Sequence, residues 1–379
     1  MNIKSIVFIN DKVRIFFSLV FFKIFRATNL FFLPNLKLKK FSHNFNLGPD
    51  QVLIKTLLCG ICGSDKKIVN FDFSFFSSAI FDSKQNLKEK TIYLGHEVVG
   101  QVIEKGKNVK KITLGDRVIL DSVIRNDKQS KAKNVFGAFS NYFVRGQDRL
   151  QVISKKLKED HAILIEPLAC AYGAIRKTEV KKKDKILIIG AGIIGQGVLI
   201  LLRYLYGKNI EITIATNSRD HLSILEKRKL ANNIIYKKNI YKESIRILKT
   251  SSQGILNNKI LKKGYNKIFE CSGSKNLFNN LLRISGGDGE IILSGLNMNY
   301  EKIDMTPLWQ RNILIKSAHN FENKYQDLRI STYEFIQDLI LRKKINISNL
   351  KIQKIGINRW KKLFNNNYND TIKKALYFN

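Results

Sequence analysis

Ile186-Leu-Ile-Ile-Gly-Ala-Gly-Ile-Ile-Gly195 decides the fold of the second half of the chain. Four consecutive apolar residues, three of them β-branched, read as a buried strand, and the glycines that follow open a helix. In that setting Gly190 makes the tight turn, Gly192 lets the backbone approach a pyrophosphate, and Gly195 packs the helix closely. Ile193 and Ile194 fall in the first helical turn, whose N–H groups would meet the phosphates. Outward from this string, strand and helix patterns alternate: Lys185–Ile189, helix Ile193–Tyr206, Ile210–Ala215, helix Arg219–Leu230. Lys267–Glu270, a short helix Asn276–Ile284 and Glu290–Ser294 continue the series. This is the grammar of a doubly wound parallel sheet.

The end of the second strand distinguishes the two nicotinamide dinucleotides, because an acidic residue there binds the 2′-hydroxyl of the adenosine ribose. Here the strand runs into Thr216-Asn-Ser-Arg219, and the nearest acid, Asp220, is already in the helix. Thr216, Ser218 and Arg219 suit a 2′-phosphate, so NADP(H) is expected over NAD(H).

The first half reads differently. Gln51–Leu58, Gly100–Ile103 and Asp116–Leu120 are short β-branched runs bounded by Gly and Asp, and Gly137–Val144 returns to a strand after a polar loop from Asp121 to Val135. Three strings in this half carry chemistry: Cys59-Gly-Ile-Cys-Gly-Ser-Asp65, Gly95-His-Glu97 and Glu166-Pro-Leu168. A catalytic zinc needs three protein ligands and one open position. Cys62, His96 and Glu166 offer that set, while Glu97 is either a group behind the ligands or an alternative to Glu166. Cys59 is assigned to structure and Asp65 to orienting an imidazole.

These strings, in this order, make the chain resemble the zinc-dependent medium-chain dehydrogenase/reductase superfamily, in its polyol, sugar and threonine dehydrogenase branch. Gly115-Asp-Arg-Val118, Gly137-Ala-Phe139, Phe269-Glu-Cys-Ser-Gly273 and Gly286-Gly287 followed by Ile291–Gly295 fall in the family's order. The resemblance implies an α/β plus β architecture: a GroES-like β-barrel catalytic domain, a Rossmann cofactor domain and a C-terminal segment that returns to the first. Boundaries are expected at 1–167, 168–306 and 307–379. It also implies that Cys62, His96 and Glu166 are zinc ligands and that Ser64 passes on the substrate proton. Two departures stand out. Relatives with a structural zinc carry four closely spaced cysteines after the Gly-Asp-Arg-Val string, and Asp121–Val135 has none, so one catalytic zinc and no structural zinc are expected. Lys67 stands where many relatives have a relay histidine, so the proton must leave by Lys67, a water chain or another group. The segment up to Leu47 matches poorly.

Bulk composition bounds the alternatives. At 379 residues, with 44% hydrophobic residues, the chain suits two domains with buried cores. The net charge of +35 is spread along the whole length rather than gathered in an arm or motif, so no specific nucleic-acid partner is expected. Four cysteines, two of them close together, do not make a secreted disulfide framework, and a cytoplasmic location is expected. The apolar stretch Ile15–Leu33 is interrupted by Lys23, Arg26, Thr28 and Asn29, which argues against a membrane span or signal peptide. The combined expectation is a homo-oligomeric oxidoreductase. It would move a hydride between a secondary alcohol (polyol, sugar or cyclitol) and NADP, with a small alcohol or carbonyl compound as its partner. The alternative is a zinc-free or inactive relative that binds nucleotide.

Overall fold

A computed structural model describes residues 1–9, 35–69, 91–121, 136–255, 258–295, 302–318, 331–365 and 371–378. The chain divides into two compact units: Met1–Glu166 with Ile352–Tyr368 and Lys373–Asn379, and Pro167–Lys351 with Asn369–Ile372.

The first unit is β-rich. Its longest strand, Gln51–Gly60, is buried on both faces and pairs antiparallel with Glu97–Lys105, Tyr142–Gly146 and Lys373–Tyr377. Arg117–Leu120 and Leu150–Val152 extend the sheet on one side, and Ile352–Gly356 ends it on the other. A smaller sheet joins Leu36–Ser42, Asn2–Ile9 and Thr91–Tyr93. The core between them is formed by side chains such as Val52, Ile54, Val98, Val102, Phe139 and Leu376. Such β-branched and aromatic residues fit a pleated, buried surface. The expected strand over 137–144 starts only at Tyr142. Gly137 is needed for a close backbone crossing, since a Cβ there would collide with the Leu94 carbonyl.

The second unit is built on six strands, all parallel, in the spatial order Asn233–Tyr236, Glu211–Thr216, Lys185–Ile189, Tyr265–Glu270, Ser285–Leu293 and Leu314–Ser317. Numbered along the chain that order is 3-2-1-4-5-6, the doubly wound Rossmann arrangement, whose switch point lies beside the first strand. Ile186, Leu187, Ile188 and Ile189 at its centre are fully buried. The helix Ile193–Tyr206 has the bounds read from its sequence. Two other helices differ at their ends for a backbone reason. Lys229 takes a left-handed conformation and stops one at Arg228, and Asn276, with φ of 56°, delays the other to Phe278.

Of the expected C-terminal segment, the strand Leu314–Ser317 and the helix Thr332–Leu341 belong to the second unit, and the chain rejoins the first from Ile352. The reason is local: Leu314–Ser317 adds to the parallel sheet, and the helix, capped by a reciprocal Ser331–Glu334 pair, buries Tyr333, Phe335, Ile336, Leu339 and Ile340. The polar loop read over 121–135 lies outside the described residues apart from Asp121, and the apolar stretch read over 15–33 lies wholly outside them. Among the described residues, no helix is long and apolar enough to cross a membrane.

Candidate metal centre and glycine turn

Three backbone segments of the first unit meet at the candidate metal centre. Cys62 stands in the turn after the strand Gln51–Gly60, and the helix Gly63–Val69 follows it directly. His96 and Glu97 lie at the start of the strand Glu97–Lys105. Asp65, which is buried, ties these segments together: its carboxylate accepts the Cys62 N–H at 2.9 Å and the Gly95 N–H at 3.1 Å. Burial is the largest influence on its carboxyl group and raises its pKa, against the pull of the nearby His96. Asp65 therefore sets the position of both ligand-bearing loops through their backbone, and reaches the imidazole only by its charge.

The ligand atoms of Cys62, His96 and Glu97 all lie within 4.8 Å of one another. Glu166, at the start of the helix Ile165–Ile175, is buried, and its charge acts on His96. Its carboxylate lies outside the 4.8 Å group, so the fold gathers Cys62 and His96 with Glu97, the residue the sequence offered as the alternative to Glu166. Burial lowers the His96 pKa, but Cys62, Asp65 and Glu166 outweigh it and hold the imidazole well above its ordinary value. A thiol, an imidazole and a carboxylate converging on one point, ringed by further negative charge, are the donor chemistry that suits zinc. Cys59 is fully buried in the core, and burial pushes its thiol up, as a structural cysteine requires. Ser64 and Lys67 are half-buried on the helix that begins beside Cys62.

The sequence reading missed Lys373. It is 2% exposed, forms an ion pair with Glu97, and donates to the Ile61 carbonyl at 3.2 Å. Burial lowers its pKa, but Glu97, Cys62 and Glu166 outweigh this and keep it charged. Beside it, Lys374 is 1% exposed and donates to the carbonyls of Lys362 and Asn365, with its pKa lowered by burial to about 8. The one sequence signal was two adjacent lysines opening an otherwise apolar strand.

In the second unit the glycine turn follows the first strand of the sheet. Gly190 has φ of 96°, open to glycine at little cost, and a Cβ there would press to within 2.9 Å of the Ser272 side chain. A Cβ on Gly195 would collide with the Gly190 carbonyl, whereas one on Gly192 would meet nothing within 4 Å. Gly192 caps the helix without any side-chain hydrogen bond, and Gly192, Ile193 and Ile194 are half-exposed. That leaves the helix start open to an anion, the arrangement a pyrophosphate needs. Glu270, at the end of the neighbouring strand, steadies the other wall: Ser272 donates to it from its N–H at 2.8 Å and from its hydroxyl at 2.5 Å.

At the end of the second strand, Ser218 donates its N–H to Thr216 Oγ1 at 3.1 Å and accepts the His221 N–H at 3.3 Å as a helix cap. Both hydroxyl oxygens act as acceptors in these bonds; Thr216 is buried and Ser218 half-buried. Arg219 is exposed.

Comparison with known proteins agrees with this architecture. Residues 48–156 match the alcohol dehydrogenase GroES-like domain. D-arabitol-phosphate dehydrogenase of Enterococcus avium is 27% identical over 83% of this chain and 86% of its own length. L-threonine 3-dehydrogenase of Coxiella burnetii is 25% identical over 74% of this chain and 80% of its own. The crystal structure of 2R,3R-butanediol dehydrogenase from Bacillus subtilis superposes with a TM-score of 0.71 over the full length of both chains, at 18% identity. Residues 48–156 thus carry a GroES-like domain, the whole chain shares the fold of these dehydrogenases, and over most of its length it is similar in sequence to alcohol and polyol dehydrogenases.

Proposed function

We propose that the protein is a zinc-dependent dehydrogenase that moves a hydride between a secondary alcohol and NADP(H). The observation that carries this reading is the convergence of Cys62, His96 and Glu97 in a GroES-like unit. Cys62 and His96 would hold the metal, with Glu97 or Glu166 as the third ligand. Bound there, zinc supplies the positive charge that makes an alcohol proton easier to lose. Ser64, two residues after Cys62, receives that proton and passes it toward solvent, with Lys67 in the next turn position where a relay group is needed. Asp65 keeps the ligand loops in register through the Cys62 and Gly95 N–H groups. The open helix start at Gly192 binds the pyrophosphate, and Thr216, Ser218 and Arg219 bind the 2′-phosphate. Relatives that act on a sugar-alcohol phosphate, a hydroxy amino acid and a diol support a small polar secondary alcohol as substrate.

Metal content of the purified protein, measured with turnover of a panel of polyols and their phosphates under NADP and NAD, tests the reading. About one zinc per chain and reduction of NADP support it. A second reading, nucleotide binding without metal catalysis, is favoured by Lys67 in the relay position and by a lysine already neutralising Glu97. Nucleotide binding with no zinc uptake after metal is added back would decide for the second.

A further inference from the structure

We propose that Gln196, anchored by Arg228, is a positioning residue for the dinucleotide: it holds the Ala191 carbonyl against the start of the helix Ile193–Tyr206 and so turns the Gly192 N–H outward, toward the pyrophosphate. The inference rests on the dinucleotide reading above.

Gln196 is the one polar side chain in the buried run from Gly195 to Leu202, and it is completely closed to water. A buried amide is costly unless its hydrogen bonds are made. Here both ends are used: Nε2 donates to the Ala191 carbonyl at 3.2 Å, and Oε1 accepts from Arg228 Nη1 at 3.2 Å. A carbonyl only accepts and a guanidinium only donates, so the amide has a single orientation. Arg228, the last residue of the helix Arg219–Arg228, is itself fixed by donating to the Asn346 carbonyl at 2.5 Å. Burial lowers its pKa to about 10, which leaves it charged at neutral pH.

Peptide planarity carries this anchoring to the turn. No peptide bond among the described residues is cis, and in a trans peptide the carbonyl and the following N–H point in opposite directions. With the Ala191 carbonyl drawn to Gln196 in the helix, the N–H of Gly192 is aimed away from the helix body, beyond its N-terminus. The Gly190 N–H is already used by the Ala215 carbonyl at 2.8 Å, so a pyrophosphate has to be met further along the turn. Gly192 has no Cβ and open space around it, so nothing steric at that residue fixes the peptide. Gln196 removes this freedom before a ligand arrives, which lowers the entropic cost of binding. It acts through the peptide, from behind the turn.

The test uses the full chain, NADPH fluorescence, and displacement of NADPH by adenosine and by ADP, which differ only in the diphosphate. The preference for ADP over adenosine isolates the pyrophosphate contact from the rest of the nucleotide site, and a role in stability alone would not move it. Gln196→Met keeps the volume and removes both hydrogen bonds; it should lower that preference at least about tenfold, the worth of a hydrogen bond to a charged group. Gln196→Glu still accepts from Arg228 but has no hydrogen for the Ala191 carbonyl, so it should keep a Tm near that of the natural protein and show the same loss of preference. Arg228→Met leaves the amide in place without its anchor and should give a smaller fall, about threefold. It also serves if the variants at the buried position fail to fold. An unchanged preference for ADP in Gln196→Met, or in Arg228→Met where the former does not fold, would overturn the proposal even if the Tm fell. Failure of the natural protein to bind NADPH would be visible before any variant is made; it would sink the dinucleotide reading itself and this inference with it.

Discussion

In the glycine turn, the groups that would meet a ligand are backbone N–H groups within Gly190–Gly195, presented by one strand and one helix that are neighbours in sequence. In the metal centre they are side chains from Cys62, His96, Glu97 and Glu166, with Lys373 arriving from the C-terminal strand. A backbone cradle is specified by what is absent, namely side chains at three positions. A side-chain centre is specified by register between strands far apart in the chain. The first is sensitive to added volume and the second to lost ligands, and that difference can be measured.

The largest effect should come from the side-chain centre. Cys62→Ala or His96→Ala should abolish zinc retention and lower turnover by roughly 100- to 10,000-fold, since bound metal contributes several kcal/mol of transition-state stabilisation. Both variants should still bind NADPH, because the glycine turn is untouched. Zinc content and NADPH fluorescence on the same samples would show this, and unchanged zinc and turnover would sink the ligand assignment.

Within the backbone cradle, two glycines should respond in different ways. Gly195→Ala places a methyl group against the Gly190 carbonyl and should cost about 1–3 kcal/mol by overpacking, seen as a lower Tm even without nucleotide. Gly192→Ala meets open space and should keep its Tm while weakening nucleotide binding. Equal Tm losses in both would mean that the second glycine serves packing rather than a ligand.

A smaller effect is expected at the end of the second strand. Arg219→Ala should lower the ratio of kcat/KM for NADP over NAD by about 10- to 100-fold, the worth of a charged hydrogen bond. An unchanged ratio would remove Arg219 from cofactor choice.

The smallest effect concerns stability alone. Glu290 bridges Lys267 and Lys316, each at 2.5 Å. Burial raises its pKa, but the two lysines outweigh it and bring the carboxyl from 4.5 down to about 2. A carboxyl depressed in the folded state contributes stability above its unfolded pKa and loses it as pH falls through the folded value. The contribution should therefore be complete above about pH 5 and fade toward pH 2. Glu290→Gln should flatten that limb of a denaturation series, with no change in zinc content.

The sequence made the second unit legible because its signals are local. An apolar run, three glycines at fixed spacing and an alternation of periods all lie within a few residues of the atoms they position. Helix ends at Arg228 and Phe278 were less legible, since left-handed residues at Lys229 and Asn276 carry no glycine to announce them. Cys62 and His96 stand inside their strings and come together in the fold, and Cys59, expected to be structural, is buried in the core. Asp65 was recognised as a support, but its grip on the Cys62 and Gly95 N–H groups depends on how two loops meet. Lys373 was invisible, because its partner lies in a strand two positions across the sheet and register is a property of the folded sheet.

The sequence by itself determined the two architectures, the order of the parallel strands' building units, the glycine turn and the residue types available for a metal. Short-range periodicity and backbone sterics suffice for the strands, the helices and the glycine turn, whereas the β-barrel and the ligand residues were expected from the ordered strings and the resemblance they carry. Only the tertiary structure decided that the Glu97 carboxylate joins Cys62 and His96 within 4.8 Å, and that a lysine from the C-terminal strand occupies the gap over Gly60. Those facts follow from strand pairing between segments hundreds of residues apart, and from the low-dielectric interior that forces each buried charge to find a partner.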